Sequence, residues 1–250
     1  MPIKMNDLIA ATNPNPSDSV EKSSVFIWID LLGFSALVEN PNAHEKLIGH
    51  LRSFRDIFWN DSDYDSKILS DAILLQIKEY HHRNSHSRFI EILKDIGKRQ
   101  FRFMLDNQVA MRGGIAVGQQ LKFDRGEHGY ISTGLARSYH VESGDIDWPV
   151  IATNTQYLKE IRKIFNKPDE SEQFGLTHAF NKGGDDIYFI DFVQLADTAQ
   201  EIESYERFVK IMLEQYDGKP QVRNKYIWLL KHLAKVKDSS IPEKWLKSIL

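Results

Sequence analysis

Residues 25–29 read Val-Phe-Ile-Trp-Ile, and Asp30 follows them at once. An extended segment that is apolar at both odd and even positions puts apolar side chains on both faces of a sheet, so it belongs inside one. The carboxylate then stands at the sheet's end, where a buried or half-buried charge needs a partner. Gly33 lets the backbone approach a ligand closely. A helix after it would aim its first free N–H groups at an anion such as a triphosphate. The ordinary alternative is an aspartate that only caps that helix.

The pattern recurs at Asp71 in "KILSDAILLQI" (67–77), which predicts two short strands broken at Ser70-Asp71. If the two strand ends are neighbours, Asp30 and Asp71 converge. Two carboxylates with phosphate oxygens make a hard oxygen site suited to Mg²⁺ or Mn²⁺.

Elsewhere the spacing of Leu47, Leu51, Phe54 and Phe58 predicts an amphipathic helix over 43–59, and a long helix is expected from Ser87 to Leu105. "NQVAMRGGIAVGQQLKF" (107–123) reads as a strand pair with a bend, followed by a helix over about Thr133–Ser143. "YLKEIRKIF" predicts a helix and "DDIYFIDF" a strand; the last fifty residues read as helices. This order predicts an α+β fold, with one antiparallel sheet covered by helices on one face.

With 250 residues the chain can bury a sizeable core. Its formal charge of −3 argues against a nucleic-acid partner. Without cysteine there is no disulfide, thiolate metal site or cysteine nucleophile. No apolar run approaches the ~20 residues that span a bilayer, and "MPIKMNDLIAATNPNPSDSV" lacks the order of a signal peptide. A cytoplasmic chain without a membrane partner is expected.

"IDLLGFSAL", then "SDAILL" 41 positions on from Asp30 to Asp71, then "MRGGIAVG" and "TGLARSYHVES", together resemble the class III nucleotidyl cyclase catalytic domain. They look most like the pyrimidine cyclases of the Pycsar antiphage systems, and "KYIWLL" near the end is also similar. The resemblance covers about Val25–Val150, more weakly the rest. It implies a ferredoxin-like, palm-related sheet with C-terminal helices. The chain then divides into a flexible arm (1–24), a cyclase domain (25–195) and a helical extension (196–250). It also implies two divalent cations, Mn²⁺ or Mg²⁺, held by Asp30, Asp71 and the Leu31 carbonyl. A phosphate-binding turn falls on Leu32, Gly33 and Phe34, and Lys67 stands at a base-reading position. The family acts as a homodimer with sites at the interface, and a separate cyclic-nucleotide effector reads the product.

Three positions depart from the family pattern. His140 stands at the transition-state arginine position, Ala136 at that of the ribose-orienting asparagine, and Gly129 at that of the adenine-reading aspartate. Arg137 or Arg112 can supply the missing cation, and His140 is the third candidate; the sequence leaves all three open. The reading is a cyclase acting on a nucleoside triphosphate, UTP before CTP. Lys67 is a pure donor, matched by the O4 acceptor of uracil and opposed by the amino group of cytosine. The alternative is a cyclase-like domain that binds nucleotide without turnover.

Two further motifs compete. Gly183-Gly184-Asp185-Asp186 matches the metal-binding hairpin of palm-type enzymes, but "FGLTHAFNKG" before it reads as a turn rather than a hairpin arm, which favours a plain turn. His81, His82 and His86 include an i, i+4 pair, but no acid in the protease pattern lies between them, so loop histidines are expected.

Overall fold

A computed structural model describes residues 19–20, 23–59, 61–78, 86–122, 131–167, 173–181 and 183–236. The apolar run is β2 (Ser24–Leu31). A single helical turn, α1 (Phe34–Val38), follows it, and Asn40 then caps a 3₁₀ turn that starts at Pro41. Next come α2 (His44–Phe58), the hairpin β3 (Tyr64–Leu69) and β4 (Ala72–Ile77), α3 (His86–Asn107) and β5 (Met111–Gly118). β2 pairs antiparallel with both β4 and β5, and β3 pairs with β4. The order β3-β4-β2-β5 with helices after β2 and β4 is the split βαββαβ arrangement of ferredoxin-like folds. The fold is α+β.

The sheet continues past β5 through β8 (Ile151–Asn154), β10 (Asp186–Phe189) and β9 (Thr177–Phe180) to seven strands. β8 runs parallel to β5, so the sheet is not wholly antiparallel as expected. The segment at 107–123 also departs from a simple strand pair. Beyond β5, β6 (Gln120–Lys122) leaves the main sheet and joins β1 (Ser19–Val20) and β7 (Ile131–Ser132) in a small separate one. Ser19 and Val20, inside the stretch expected to be a free arm, are thus paired with Lys122 and Leu121. Residues 1–18 lie outside the described ones.

Strand parity divides the core. Val25, Ile27, Ile29, Ile73, Leu75 and Ile115 face α2 and α3, where Phe54, Phe58, Phe89, Ile96 and Phe103 are fully or almost fully buried. Each such side chain contributes about 1.5–3 kcal/mol. The opposite face is not bare, contrary to the expectation of helices on one side only. It carries α4 (Thr133–His140), started by Ser132, whose hydroxyl accepts from the N–H groups of Gly134 and Leu135. α5 (Thr155–Ile164) packs with the first core through Leu158 and Ile161.

The C-terminal helices α6 (Ala199–Gln215) and α7 (Pro220–Val236) do not stand apart from the sheet. A capping box of Thr198 and Glu201 starts α6. Tyr205, Phe208, Leu229 and Leu230 share one buried cluster with Ala116, Ala152 and Phe189 of the sheet. No described helix is long and apolar enough to cross a membrane.

Candidate active site

The end of β2 organises the site. Asp30 has Ala72 of β4 and Arg112 of β5 as its register neighbours. Asp71 occupies the two-residue tip between β3 and β4, where Ser70 takes φ +61° to close the turn. The tip is tied to β2 because Leu31 N–H donates to the Asp71 carbonyl at 3.3 Å. The two carboxyl groups lie close enough for the charge of one to act on the other. Burial pushes the Asp30 carboxyl up to about 7, with repulsion from Asp71 and Glu142 adding to it and Arg112 opposing it.

Arg112 Nε lies 3.9 Å from Asp30 Oδ2 and pairs with Glu142. Glu142, 1% exposed, sits in a π-helical turn (Val141–Asp145) that extends α4. Burial raises its carboxyl as well, against the charges of Arg112 and Lys225. Nothing in the local sequence marks Glu142 as a site residue. Its partner is 30 residues away by number, 142 − 112, and only the packing of α4 across β5 joins them. That packing is backbone on backbone at two glycines and backbone on ring at a third. A Cβ on Gly114 would strike the Ser138 carbonyl oxygen, one on Gly118 would strike the Gly134 amide, and one on Gly134 would enter the Phe26 ring.

The expected phosphate turn follows Asp30 directly. Gly33 is exposed with φ +84°, which suits glycine. Leu32 packs against the second cluster and Phe34 against the first. The helix expected after the turn is one turn long, so any anion binding there rests on a few N–H groups and hardly on a macrodipole.

Lys67 pairs in register with Leu74, which pairs with Trp28. Parity therefore puts Lys67 on the Asp30 face, one pleat row back and two strands across. The three candidate cations separate. Arg112 stands beside Asp30. Arg137 donates to the Val117 carbonyl at 3.0 Å and to Glu160 at 3.2 Å, with its guanidinium 5.8 Å from the Tyr157 ring centre. That is the far end of β5, roughly 17 Å along the strand from Arg112. His140 and Ala136 lie exposed on α4. Gly129, His81 and His82 fall outside the described residues, and His86 stacks near Phe174 with ring centres 5.2 Å apart.

The Gly-Gly-Asp-Asp segment is a correction. Thr177–Phe180 pairs with Asp186–Phe189, so it is the tip of a hairpin and "FGLTHAFNKG" contains the first arm. Asp185 and Asp186 border a cavity of 390 Å³ with Asp145 and Asn154. Register puts them at the end of the sheet opposite Asp30: β10 begins there beside the last residue of β8, whereas Asp30 lies level with the start of β5. Asp186 is bound to His178 at 2.6 Å, and Asp185 N–H donates to Asn181 at 2.9 Å.

Asp30 and Asp71 fit a divalent cation in kind. Each is an acceptor, they repel one another, and a hard cation with one or two carboxylates and substrate oxygens is the usual Mg²⁺ arrangement. Among the described residues no group of three or more His, Asp or Glu side chains is placed to hold an ion. A cation held by these two would need oxygens from other groups to complete its shell.

No family model matches the chain, and no curated protein is similar to it in sequence. Solved structures with a similar fold include the adenylyl cyclase CyaB from P. aeruginosa, with TM-score 0.49 and 13% identity over 74% of this chain and 98% of that one. A bacterial light-regulated adenylyl cyclase gives 0.44 and 11%, over 76% and 99%. A class III adenylyl cyclase-like ATP-binding protein from Pseudomonas aeruginosa gives 0.41 and 14%, over 81% and 45%. At these levels no residue role is carried over from them.

Proposed function

We propose that the chain is a class III nucleotidyl cyclase that converts a pyrimidine nucleoside triphosphate, UTP before CTP, into its 3′,5′-cyclic monophosphate and pyrophosphate. The observation that carries this reading is the convergence of Asp30 and Asp71 at one end of a βαββαβ sheet, beside Arg112 and a positive-φ glycine turn. In the reaction the 3′-oxygen bonds to the α-phosphorus, the bond to the β-phosphate oxygen breaks, and the hydroxyl proton leaves to solvent. Asp30, Asp71 and the Leu31 carbonyl would hold two divalent cations. Bound there, such ions lower the pKa of the hydroxyl and offset charge on the leaving pyrophosphate. Arg112, oriented by buried Glu142, is the cation placed to meet charge that grows on the α-phosphate. Gly33 leaves room for the phosphates to approach the backbone.

Lys67 reads the base from the edge of the same sheet face. A donor facing uracil O4 rather than the cytosine amino group is worth about 1–3 kcal/mol, roughly tenfold or more in selectivity. With the four triphosphates at equal concentration and Mn²⁺, cyclic UMP should dominate, and Lys67→Ala should bring UTP and CTP close to parity. Mainly cyclic AMP or GMP would overturn the base assignment, and mainly cyclic CMP would remove the role of Lys67. No cyclic product together with tight triphosphate binding would favour the second reading, a nucleotide-binding domain without turnover.

The active form is a homodimer with composite sites. This accounts for Arg137 lying away from the chain's own Asp30, at the other end of β5. Tyr139 on α4 is 52% exposed and would be covered by a second copy docked on that helix. With Arg112 acting in cis and Arg137 reaching the partner's site, mixing an Asp30→Ala, Asp71→Ala chain with an Arg137→Ala chain should restore activity through one intact site. Heterodimers that form and stay inactive would argue for sites within single chains. The product would be a second messenger in antiphage signalling read by a separate effector, a role supported by the motif resemblance. The cavity at Asp185 and Asp186 keeps a palm-type site in view, and Asp185→Ala, expected to be nearly silent, decides it.

A further inference from the structure

The helical hairpin α6–α7 reaches the site from the other end of the chain. Its turn closes with Lys219 N–H donating to the Tyr216 carbonyl at 2.9 Å. The Tyr216 hydroxyl stands 3.9 Å from where a Cβ on Gly33 would be. A phenol therefore overhangs the turn that directly follows Asp30 and Leu31. The hairpin is held there by packing. Tyr216 stacks on Tyr226 with ring centres 5.8 Å apart and planes within 5°. Tyr226 is 3% exposed, and Trp228 stacks on Trp148 at 4.6 Å. Trp148 lies six positions after Glu142, so α7 is pinned to the segment that carries Glu142. Leu32 packs into the same cluster as Tyr216 and Val222.

Lys225 immediately precedes Tyr226 and is half-buried. Its charge acts on Glu142, and the charges of Glu142 and Asp71 act on Asp30. The neighbourhood thus holds three carboxylates, Asp30, Asp71 and Glu142, against the guanidinium of Arg112. A polyphosphate needs further positive charge and hydrogen-bond donors, and this hairpin brings one of each. A compact ammonium suits phosphate oxygens as a point charge. Burial raises the Tyr216 phenol, so it stays a neutral donor at physiological pH.

We infer that the α6–α7 hairpin forms one wall of the triphosphate site, with Lys225 and Tyr216 binding the β- and γ-phosphate oxygens in cis. This deepens the cyclase reading and rests on it for the identity of the substrate. A purely structural hairpin would use Lys225 only as a counter-ion for Glu142 and Tyr216 only to cover the cluster.

The test is calorimetric titration of the intact chain with inorganic tripolyphosphate in Mn²⁺, beside UTP turnover. Lys225→Met should weaken tripolyphosphate binding about tenfold or more, the loss expected for a charge-assisted contact. The same variant should raise KM for UTP more than it lowers kcat. Lys225→Arg should regain most of the binding, and Tyr216→Phe should lose about threefold to tenfold. Melting temperatures should stay near that of the parent. Equal binding by parent and Lys225→Met, or no binding by the parent, overturns the inference whatever the turnover. Unchanged KM in all three variants with cyclic product still forming also overturns it and leaves the cyclase reading intact. Binding as expected with no cyclic product from any triphosphate sinks the cyclase reading and keeps the wall.

Discussion

On the proposed mechanism Asp71→Ala should leave a folded chain whose cyclic-nucleotide formation drops about 10³-fold or more, since losing a metal carboxylate removes several kcal/mol from the transition state. Asp30→Asn should do the same to turnover but should raise stability at alkaline pH. The Asp30 carboxyl is pushed up to about 7 in the fold, from an ordinary value of 3.8. The folded chain therefore holds its proton more tightly than the unfolded chain. That contribution is fully present below pH 3.8 and is lost as pH rises through 7. At pH 8 without divalent cation, Asp30→Asn should melt several degrees above the parent, with a gain of at most about 4 kcal/mol. At pH 4 the difference should nearly vanish, and Mn²⁺ should narrow it at pH 8 by stabilising the parent alone. A folded Asp71→Ala chain with clear residual activity would remove these two residues from the mechanism.

Arg112→Met should be damaging twice over. It takes away the cation beside Asp30, and it leaves Glu142 buried with only Lys225 to oppose its charge. Breaking a buried pair from one side costs about 3–5 kcal/mol, whereas replacing both partners by apolar groups is often near neutral. The double variant Arg112→Met, Glu142→Leu should therefore recover most of the stability lost by Arg112→Met, as read by urea unfolding. It should recover none of the activity. Recovery of both would make the pair structural only, and the site would need its cation from elsewhere.

The Asp30–Asp71 pair was legible because each aspartate ends or begins a strongly apolar strand, and a hairpin with a polar tip fixes which strands adjoin. Lys67 was singled out by the motif resemblance, and strand parity puts it on the face that carries Asp30. The choice among Arg112, Arg137 and His140 was not legible. It depends on which residue faces Asp30 across β2 and β5, a matter of register, and on where α4 is aimed. The π-helical turn also shifts helical phase just after His140, so spacing along "TGLARSYHVES" misplaces Glu142. The first arm of the Asp185 hairpin was misread because it is four residues long and half exposed, with Gly175 at φ +72° just before it. The approach of Tyr216 to Gly33 spans most of the chain, and no local pattern encodes it.

The glycine contact between α4 and the sheet has a consequence for motion. Where Gly114 and Gly118 meet α4 the contact is backbone to backbone, and no side chain lies there that could change rotamer. The ring of Phe26 against Gly134 and the edge-on pair Trp28–Tyr139 complete the interface. Packed elements switch by moving between discrete side-chain packings, and the two glycine contacts offer none. α4 therefore slides over β5 less readily than the two move together, and control of the site is better served by a hinge or rotation of that pair than by shearing it.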